Sequence, residues 1–260
     1  MRNFKMLVTD IDDTLLNSNH ELSAENLAAI HALHVNKHFF VLASGRPDGG
    51  MKQIVETTGL DTKDGYIIAY NGGKIINVET GNVLFETGLE HHHFAEVSKF
   101  AAEHDLSLCS YTETAVVVNR ESEQSRIEAS LTGLDYIVSE DIVSYFQDKL
   151  IPKSIIFGPE EKIAEMRPKL IERVGTELEV FISKPIFLEV TPKGIHKGSA
   201  VRQLASLLEI DIADVIAVGD GENDLEMIKA AGHGIAVDNA ANILKDAADE
   251  VCVTNDEHAI

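Results

Sequence analysis

Two groups of closely spaced acids are the residues of this chain best suited to chemistry. The first, Asp10-Ile11-Asp12, follows the apolar run Met6–Val8, with Thr9 between them. Side chains at positions i and i+2 of an extended segment project to the same side, so both carboxylates can share one small site. Two crowded carboxylates repel each other unless a cation neutralises them or one of them is protonated. This arrangement suits a metal-assisted nucleophile beside a general acid.

The second acidic group, Gly219–Asp224, follows the apolar run Val215–Val218 and opens a helical pattern. Either acidic group alone can be a polar turn or a helix cap. Four carboxylates at the ends of two strands, with glycines that permit tight turns, favour a site for a hard cation. Because the donors are oxygens and no cluster of histidines and cysteines accompanies them, the sequence predicts Mg²⁺ rather than Zn²⁺.

Two further polar segments offer groups that can hold an anion. Ser44–Arg46 follows the apolar run Phe39–Leu42, and its hydroxyl and backbone N–H groups can hold phosphate oxygens, although alone it is more simply a loop. Lys193–Gly198 brings lysines to the start of a helical pattern. A lysine is usually solvated, but one near four carboxylates would be held as a counter-ion and would offset charge on a bound phosphoryl group.

The elements that must position these residues alternate between short apolar runs and helical patterns. This alternation is typical of parallel strands joined by crossover helices, whose carboxyl ends form the ligand-binding edge of the sheet. From about Lys74, hairpin signals with glycine turns indicate antiparallel pairing. The predicted fold class is therefore α/β: a discontinuous, Rossmann-like parallel-sheet core at 1–82 and 188–260, with an inserted α+β cap at 83–187.

Composition excludes several classes of protein. The chain has 260 residues, with 43 acidic against 22 basic side chains and a net charge of −21, which argues against binders of nucleic acids or anionic membranes. Two distant cysteines, Cys109 and Cys252, indicate a reducing compartment, so the cytoplasm is expected. No apolar run reaches the roughly 18 residues of a transmembrane helix, and an acid already at Asp10 leaves no room for a signal peptide.

Four segments together resemble the haloacid dehalogenase (HAD) superfamily in their order and spacing, and the resemblance covers the whole chain. They are Asp10–Leu16, Ser44–Arg46, His196–Gly198 and Gly219–Asp224. The long insert between the second and third segments resembles the Cof-type subfamily, whose members carry a large α/β cap and are mostly phosphatases. Tyr70–Gly72 and Gly234–Ala240 also resemble segments that this family places around its site.

The resemblance implies a Mg²⁺-dependent phosphatase of small phosphorylated metabolites, such as sugar phosphates, nucleotides or phosphorylated cofactors. It implies that Asp10 is the nucleophile that forms an aspartyl-phosphate, and that Asp12 is the general acid and base. Lys197 would counter the charge of Asp10 and of the phosphoryl group. A cap that closes over the site would select the substrate. We expect no nucleic acid or membrane partner, and a monomer or small homo-oligomer.

The resemblance also implies a set of binding residues. Mg²⁺ would be held by the Asp10 carboxylate, the Asp12 backbone carbonyl and Asp220, with Asp224 in support. Contacts to the phosphate or substrate would come from Ser44, Gly45, Arg46 and Asn223. Asp13 and Asp238 stand where this family often has glycine, and both add negative charge beside the site.

Other interpretations remain open at this point. A phosphotransferase or mutase would use the same aspartyl-phosphate but pass the group to a sugar hydroxyl. A phospho-aspartate signalling module of the receiver type is disfavoured by the length and by the large insert. A silent binding protein would require loss of a key group, and none is missing. The run His91–His93 is interpreted as a solvated helix face rather than a metal site, because consecutive helix residues point in different directions.

Overall fold

A computed structural model describes residues 4–60 and 65–260. Residues 1–3 and 61–64 lie outside the described residues; they belong to the stretch 1–82 that the sequence analysis assigns to the parallel-sheet part of the chain. The strands are β1 (Met6–Thr9), β2 (Phe39–Ala43), β3 (Tyr66–Ala69), β4 (Lys74–Asn77), β5 (Val83–Glu86), β6 (Ser107–Tyr111), β7 (Ala115–Val118), β8 (Asp135–Val138), β9 (Ser154–Phe157), β10 (Leu178–Lys184), β11 (Phe187–Pro192), β12 (Val215–Gly219), β13 (His233–Ala236) and β14 (Glu250–Val251). The helices are α1 (Ala24–Val35), α2 (Lys52–Thr58), α3 (His91–Glu103), α4 (Glu123–Thr132), α5 (Ile142–Tyr145), α6 (Glu160–Val174), α7 (Lys197–Leu207), α8 (Leu225–Ala230) and α9 (Asn242–Lys245). None of the helices in the described ranges is long and apolar enough to span a membrane.

The first sheet has the strand order β14-β13-β12-β1-β2-β3-β4-β5. The central strand β1 pairs in parallel with β2 on one side and with β12 on the other. Strands β3, β13 and β14 continue the parallel pairing, whereas β4 runs antiparallel to β3. Every residue of β1 and β3 is buried, as expected for strands that are covered on both faces. The predicted α/β class with a Rossmann-like parallel-sheet core is confirmed.

A serine caps the helix that joins β1 to β2. The Ser23 side chain accepts a hydrogen bond of 3.1 Å from the backbone N–H of Asn26, so it caps the N-terminus of α1. Such a cap satisfies one of the backbone donors that the first turn of a helix leaves unpaired. Ile30 is buried, so the face of α1 that carries it packs toward the core.

Helices α7 and α8 pack with their backbones in close approach. Gly198 lies in the first turn of α7, and a Cβ atom at this position would overlap the backbone carbonyl of Glu226. Glycine therefore lets the start of α7, which carries Lys197, pack directly onto the start of α8.

We expect Gly198→Ala to destabilise the protein by about 1–3 kcal/mol, because backbone rather than a flexible side chain blocks the added methyl group. Urea unfolding followed by circular dichroism measures the effect. Ser206→Ala, an exposed substitution in the same helix, is the matched control and should stay within ~0.5 kcal/mol. Equal unfolding midpoints for the Gly198 variant and the parent protein would contradict the close approach.

The second sheet has the strand order β10-β11-β9-β6-β7-β8. Its strands pair antiparallel except for β7 and β8, which run parallel. Strands β6 and β7 follow each other in the chain and pair antiparallel, as the hairpin signals of this part of the chain lead us to expect. Helices α3 and α6 supply much of the hydrophobic core beneath this sheet, through Phe94, Val97, Phe100, Ile163, Met166 and Leu170. This part of the chain is the α+β insert that the hairpin signals predict.

The chain divides into two compact units with boundaries that differ by a few residues from the predicted ones. The first unit extends to Gly45 and includes Lys52–Phe85 and His196–Ile260, and the second contains Arg46–Met51 and Glu86–Ile195. Residues 83–85 join the first unit because β5 lies beside β4 in the first sheet. Residues 188–195 join the second unit because β11 pairs with β9 and β10.

Candidate active site

Polar residues follow four neighbouring parallel strands of the first sheet. Asp10 follows β1, Ser44 follows β2, Asn71 lies in the turn after β3, and Asp220 follows β12. The carboxyl ends of parallel strands meet at one edge of a sheet, which is where open α/β sheets bind ligands. The backbone also links these ends: the N–H of Asp10 donates to the Val218 carbonyl at 3.0 Å.

Three carboxylates come together at this edge. Asp10, Asp220 and Asp224 each place one oxygen within 4.8 Å of the others. Asp10 and Asp224 are buried, and Asp220 is half-buried. The fully buried Lys197 donates hydrogen bonds from its Nζ to the Oδ1 atoms of Asp10 and Asp224, the second at 2.6 Å. One ammonium group thus faces three carboxyl groups inside the protein.

The segment after β12 fixes the positions of Asp220 and Asp224. The backbone N–H groups of Asp220 and Gly221 donate to Asp224 Oδ2 at 3.1 and 3.0 Å. Gly219 leaves room for this arrangement, since a Cβ atom there would lie 2.6 Å from the Cβ of Asp224. Thr14 holds the other acid, because its hydroxyl donates to Asp220 Oδ1 at 2.7 Å. Both carboxylates are therefore oriented before any ligand arrives.

Asp12 lies in a turn rather than in a continued strand. Asp10 and Asp12 both have extended backbone angles, but Asp13 has φ of 60°, and Ile11–Leu15 closes into a helical turn. The side chain of Asn239 donates to the Asp13 carbonyl at 2.7 Å and supports this turn. Asp12 is half-buried, and its charge contributes to raising the pKa of Asp10. A site shared by the carboxylates of Asp10 and Asp12 stays a prediction.

Burial and crowding shift the pKa values of this group. Burial raises the pKa of Asp10 well above its usual range; Lys197 opposes this shift, and the other nearby carboxylates reinforce it. Burial also raises the pKa of Asp220 to about 7, with Asp224 adding to the effect. Burial alone would lower the pKa of Lys197, but Asp10 and Asp224 outweigh it, so the pKa lies above its usual value. Lys197 therefore stays charged, but its single positive charge does not balance the negative charge of the three carboxyl groups.

The net charge of these side chains shows whether they fit a divalent cation. Three ionised carboxylates and one ammonium leave two uncompensated negative charges in a largely buried site. The oxygen atoms are close enough together to share one ion, and hard cations prefer such oxygen donors. The residues present therefore fit Mg²⁺, with Asp10, Asp220 and Asp224 as the carboxylates that would hold it.

A second group of polar side chains lies at the ends of β2 and β3. The Asn71 backbone N–H donates to the Ser44 carbonyl at 3.0 Å, and the Asn71 side-chain oxygen accepts from Asn223 Nδ2 at 3.2 Å. Gly45 lies against the same amide, since a Cβ atom there would be 3.2 Å from it. The structure thus brings Ser44, Gly45 and Asn223 together around Asn71. Arg46 begins a segment of the second unit, and its role stays a prediction.

Two residues with no predicted chemical role, Thr14 and Asn71, organise the site. Thr14 lies inside the first acidic motif but bonds to Asp220, 206 residues away along the chain. Asn71 links Ser44 to Asn223 and adopts a left-handed conformation with φ of 56°. The segment that contains Asn71 is indicated by the sequence, because Tyr70–Gly72 follows a buried apolar run and resembles a segment that the family places around its site. For Thr14, nothing local in the sequence indicates a distant partner.

Comparison with known proteins places these observations in a family. The model of the haloacid dehalogenase-like hydrolases matches residues 7–260. YxeH of Bacillus subtilis, named as a phosphatase, is 31% identical over 99% of this chain and 96% of its own. The HMP-PP phosphatase of Yersinia pestis is 27% identical over 93% of this chain and 86% of its own.

The similarity extends to solved structures. A haloacid dehalogenase-like hydrolase from Bacteroides thetaiotaomicron superposes with a TM-score of 0.89 at 33% identity, covering 98% of this chain and 96% of that one. Because the family model spans nearly the whole chain and relatives named as phosphatases match it from end to end, this protein belongs to the haloacid dehalogenase-like hydrolases, as a Cof-type phosphatase.

Proposed function

We propose that this phosphatase is a Mg²⁺-dependent phosphomonoester hydrolase that works through an aspartyl-phosphate on Asp10. The observation that carries the proposal is the buried cluster in which Lys197 bonds to Asp10 and Asp224 while Asp220 completes the group of carboxylates. A nucleophilic carboxylate must approach an anionic phosphoryl group, so the site needs positive charge on both sides of the reaction centre. Lys197 supplies one part of that charge.

In the first half of the reaction, a carboxylate oxygen of Asp10 attacks phosphorus and the bond from phosphorus to the ester oxygen breaks. Asp12 donates its proton to the departing alkoxide, so the alcohol leaves neutral. Lys197 orients Asp10 and favours its ionised form, because its hydrogen bond stabilises the charged carboxylate and opposes the effect of burial. Ser44 and Asn223 donate to phosphoryl oxygens from the neighbouring strand ends, and Gly45 permits their close approach.

In the second half, water attacks the phosphorus of the aspartyl-phosphate and Asp12 accepts its proton. The bond from phosphorus to the Asp10 oxygen then breaks, which regenerates the carboxylate and releases inorganic phosphate. Bound Mg²⁺ would neutralise part of the negative charge shared by the nucleophile and the phosphoryl group. Asp220 and Asp224 would hold the ion, while Thr14 and the backbone N–H groups after β12 keep these acids in place.

The substrates we propose are small phosphorylated metabolites, including sugar phosphates, nucleotides and phosphorylated cofactors. The name of the HMP-PP phosphatase from Yersinia pestis supports a phosphorylated small molecule. We assign substrate selection to the second unit, the cap that the sequence predicts at 83–187, with Arg46 as a further substrate contact. The net charge of −21 disfavours nucleic acid and anionic membranes as partners. Two unpaired thiols are in keeping with a cytoplasmic protein.

Release of inorganic phosphate from a panel of phosphorylated metabolites, HMP-PP among them, tests this function. The purified protein is assayed with Mg²⁺ and with a chelator. We expect release that the chelator abolishes and that excess Mg²⁺ restores. Absence of release from every monophosphate, by a folded protein that binds Mg²⁺, would contradict hydrolysis. Interconversion of sugar phosphate isomers in that case would identify a mutase instead.

We expect Asp220→Ala to raise the Mg²⁺ concentration needed for half-maximal activity by about 10-fold or more. The substitution removes one of three oxygen donors and also the acceptor of the Thr14 hydrogen bond. A Mg²⁺ titration of phosphate release at fixed substrate concentration measures the shift.

Glu222→Ala is the matched control for this titration, because it removes one exposed carboxylate from the same loop. Its titration should overlay that of the parent protein within about twofold, since exposed charges are screened by solvent and salt. Equal shifts in both variants would mean that general charge in the loop, rather than a ligand at Asp220, sets the affinity for Mg²⁺.

A further inference from the structure

A second group of metal-ligating side chains lies at the beginning of α3, in the second unit. Glu90, His92 and His93 each place one ligand atom within 4.8 Å of the others. The His92 Nδ1 atom is 3.3 Å from Glu90 Oε2, and the two imidazole rings lie with their centroids 3.9 Å apart. Glu177, which precedes β10, bonds through Oε2 to His93 Nε2 at 2.8 Å. Two carboxylates therefore flank two adjacent imidazoles.

The local structure explains how consecutive histidines come to share a site. Residues in the first turn of a helix point in different directions, and His91 does diverge: its Nε2 donates to the Val143 carbonyl at 3.0 Å. Glu90 lies just outside the helix with an extended backbone, and its side chain makes no capping hydrogen bond to the first turn. That side chain instead reaches His92. The cluster thus depends on Glu90 as much as on the histidines.

We propose that Glu90, His92 and His93 form a site for a borderline transition-metal ion such as Zn²⁺ or Ni²⁺, with Glu177 as fourth ligand. Two imidazole nitrogens with carboxylate oxygens are a donor set that these ions prefer over Mg²⁺. With neutral imidazoles, the two carboxylates carry a charge of −2, which a divalent ion balances. The site is chemically distinct from the Asp10 cluster, whose side-chain donors are all oxygens.

The side chains of this second cluster differ in how much they are exposed to solvent. His93 is 17% exposed and is held by Glu177, whereas His92 and Glu90 are 68% and 73% exposed. An ion can therefore enter from solvent and find one ligand already oriented. Binding would join the start of α3 to the segment before β10, because His93 and Glu177 belong to these two elements.

Calorimetric titration of the full-length, untagged protein with Ni²⁺, in excess Mg²⁺ that occupies the carboxylate cluster, tests the proposal. We expect one Ni²⁺ per chain at this site. In the double variant His92→Ala/His93→Ala the affinity should fall by more than ~10-fold, because both nitrogen donors are lost. The single variant His92→Gln alters only a well-exposed side chain, so it should keep the fold and still weaken binding.

His91→Ala is the matched control, because it removes a histidine of the same run that points to Val143 instead. Its affinity for Ni²⁺ should stay within about twofold of the parent protein. Electron paramagnetic resonance of bound Cu²⁺ provides a second readout, with coupling to two imidazole nitrogens that the double variant loses. Unchanged Ni²⁺ binding in the double variant, or an equal loss in His91→Ala, would overturn the proposal. Neither readout depends on phosphatase activity.

Discussion

Replacing Asp10 with asparagine should abolish phosphate release while leaving the protein folded. An amide does not attack phosphorus as a carboxylate does, so the aspartyl-phosphate cannot form; we expect turnover to fall by about 10⁴-fold or more, as for other removed nucleophiles. Folding should survive because asparagine has the same shape, and Lys197 keeps its hydrogen bond to Asp224. Asparagine also removes one of three crowded carboxyl groups. Initial rates at saturating Mg²⁺ and substrate, beside thermal unfolding, measure both effects.

Asp13→Asn is the matched control for this substitution, with the same change of atoms and charge three residues further along. Asp13 has φ of 60°, a left-handed conformation that asparagine adopts readily, so the turn should be preserved. Its rate at saturating Mg²⁺ should remain within a few-fold of the parent protein. Near-normal turnover by a pure Asp10→Asn sample would remove Asp10 from the proposed role of nucleophile.

The edge of the sheet that carries the candidate site could be predicted from the sequence for a physical reason. Parallel strands all end on one edge, so polar residues after separate buried runs must meet there. Asp10, Ser44 and Asp220 each follow such a run, and the structure places them at the ends of adjacent strands. The fold class follows from the same pattern, because runs buried on both faces require helices on either side of the sheet.

Other features depend on packing that no local pattern encodes. The local pattern around Lys197 does not distinguish it from a solvated lysine; the family resemblance implies its pairing with Asp10, and the packed fold brings its ammonium group there from 187 residues away along the chain. The residues of β11 are almost all buried, and a buried strand does not show which sheet it joins, so the predicted boundary at 187 differs from the observed Ile195. Glu90 contacts His92 because it lies just outside the first turn of α3. The sequence does not fix a helix end to within one residue, so this contact could not be predicted.

Replacing Lys197 with methionine should reduce both activity and stability, and the loss of stability is the more specific test of the buried cluster. Methionine keeps much of the volume but leaves Asp10 and Asp224 buried without their hydrogen-bonded counter-ion. Breaking a buried ion pair from one side costs about 3–5 kcal/mol, because the remaining charge is uncompensated. Urea unfolding in the presence of a chelator measures this cost without a metal ion that offsets it. Added Mg²⁺ should recover part of the lost stability.

The matched control is Lys193→Met, which removes an exposed lysine that pairs with Glu179 at 2.9 Å and should cost less than ~1 kcal/mol. A double variant then separates lost charge compensation from lost packing. If Lys197 acts by compensating buried carboxylates, Asp10→Asn should lessen the damage of Lys197→Met, so the combined loss is smaller than the sum of the single losses. Strictly additive losses would show that Lys197 only fills space, and the charge balance proposed for the phosphoryl site would then need another cation.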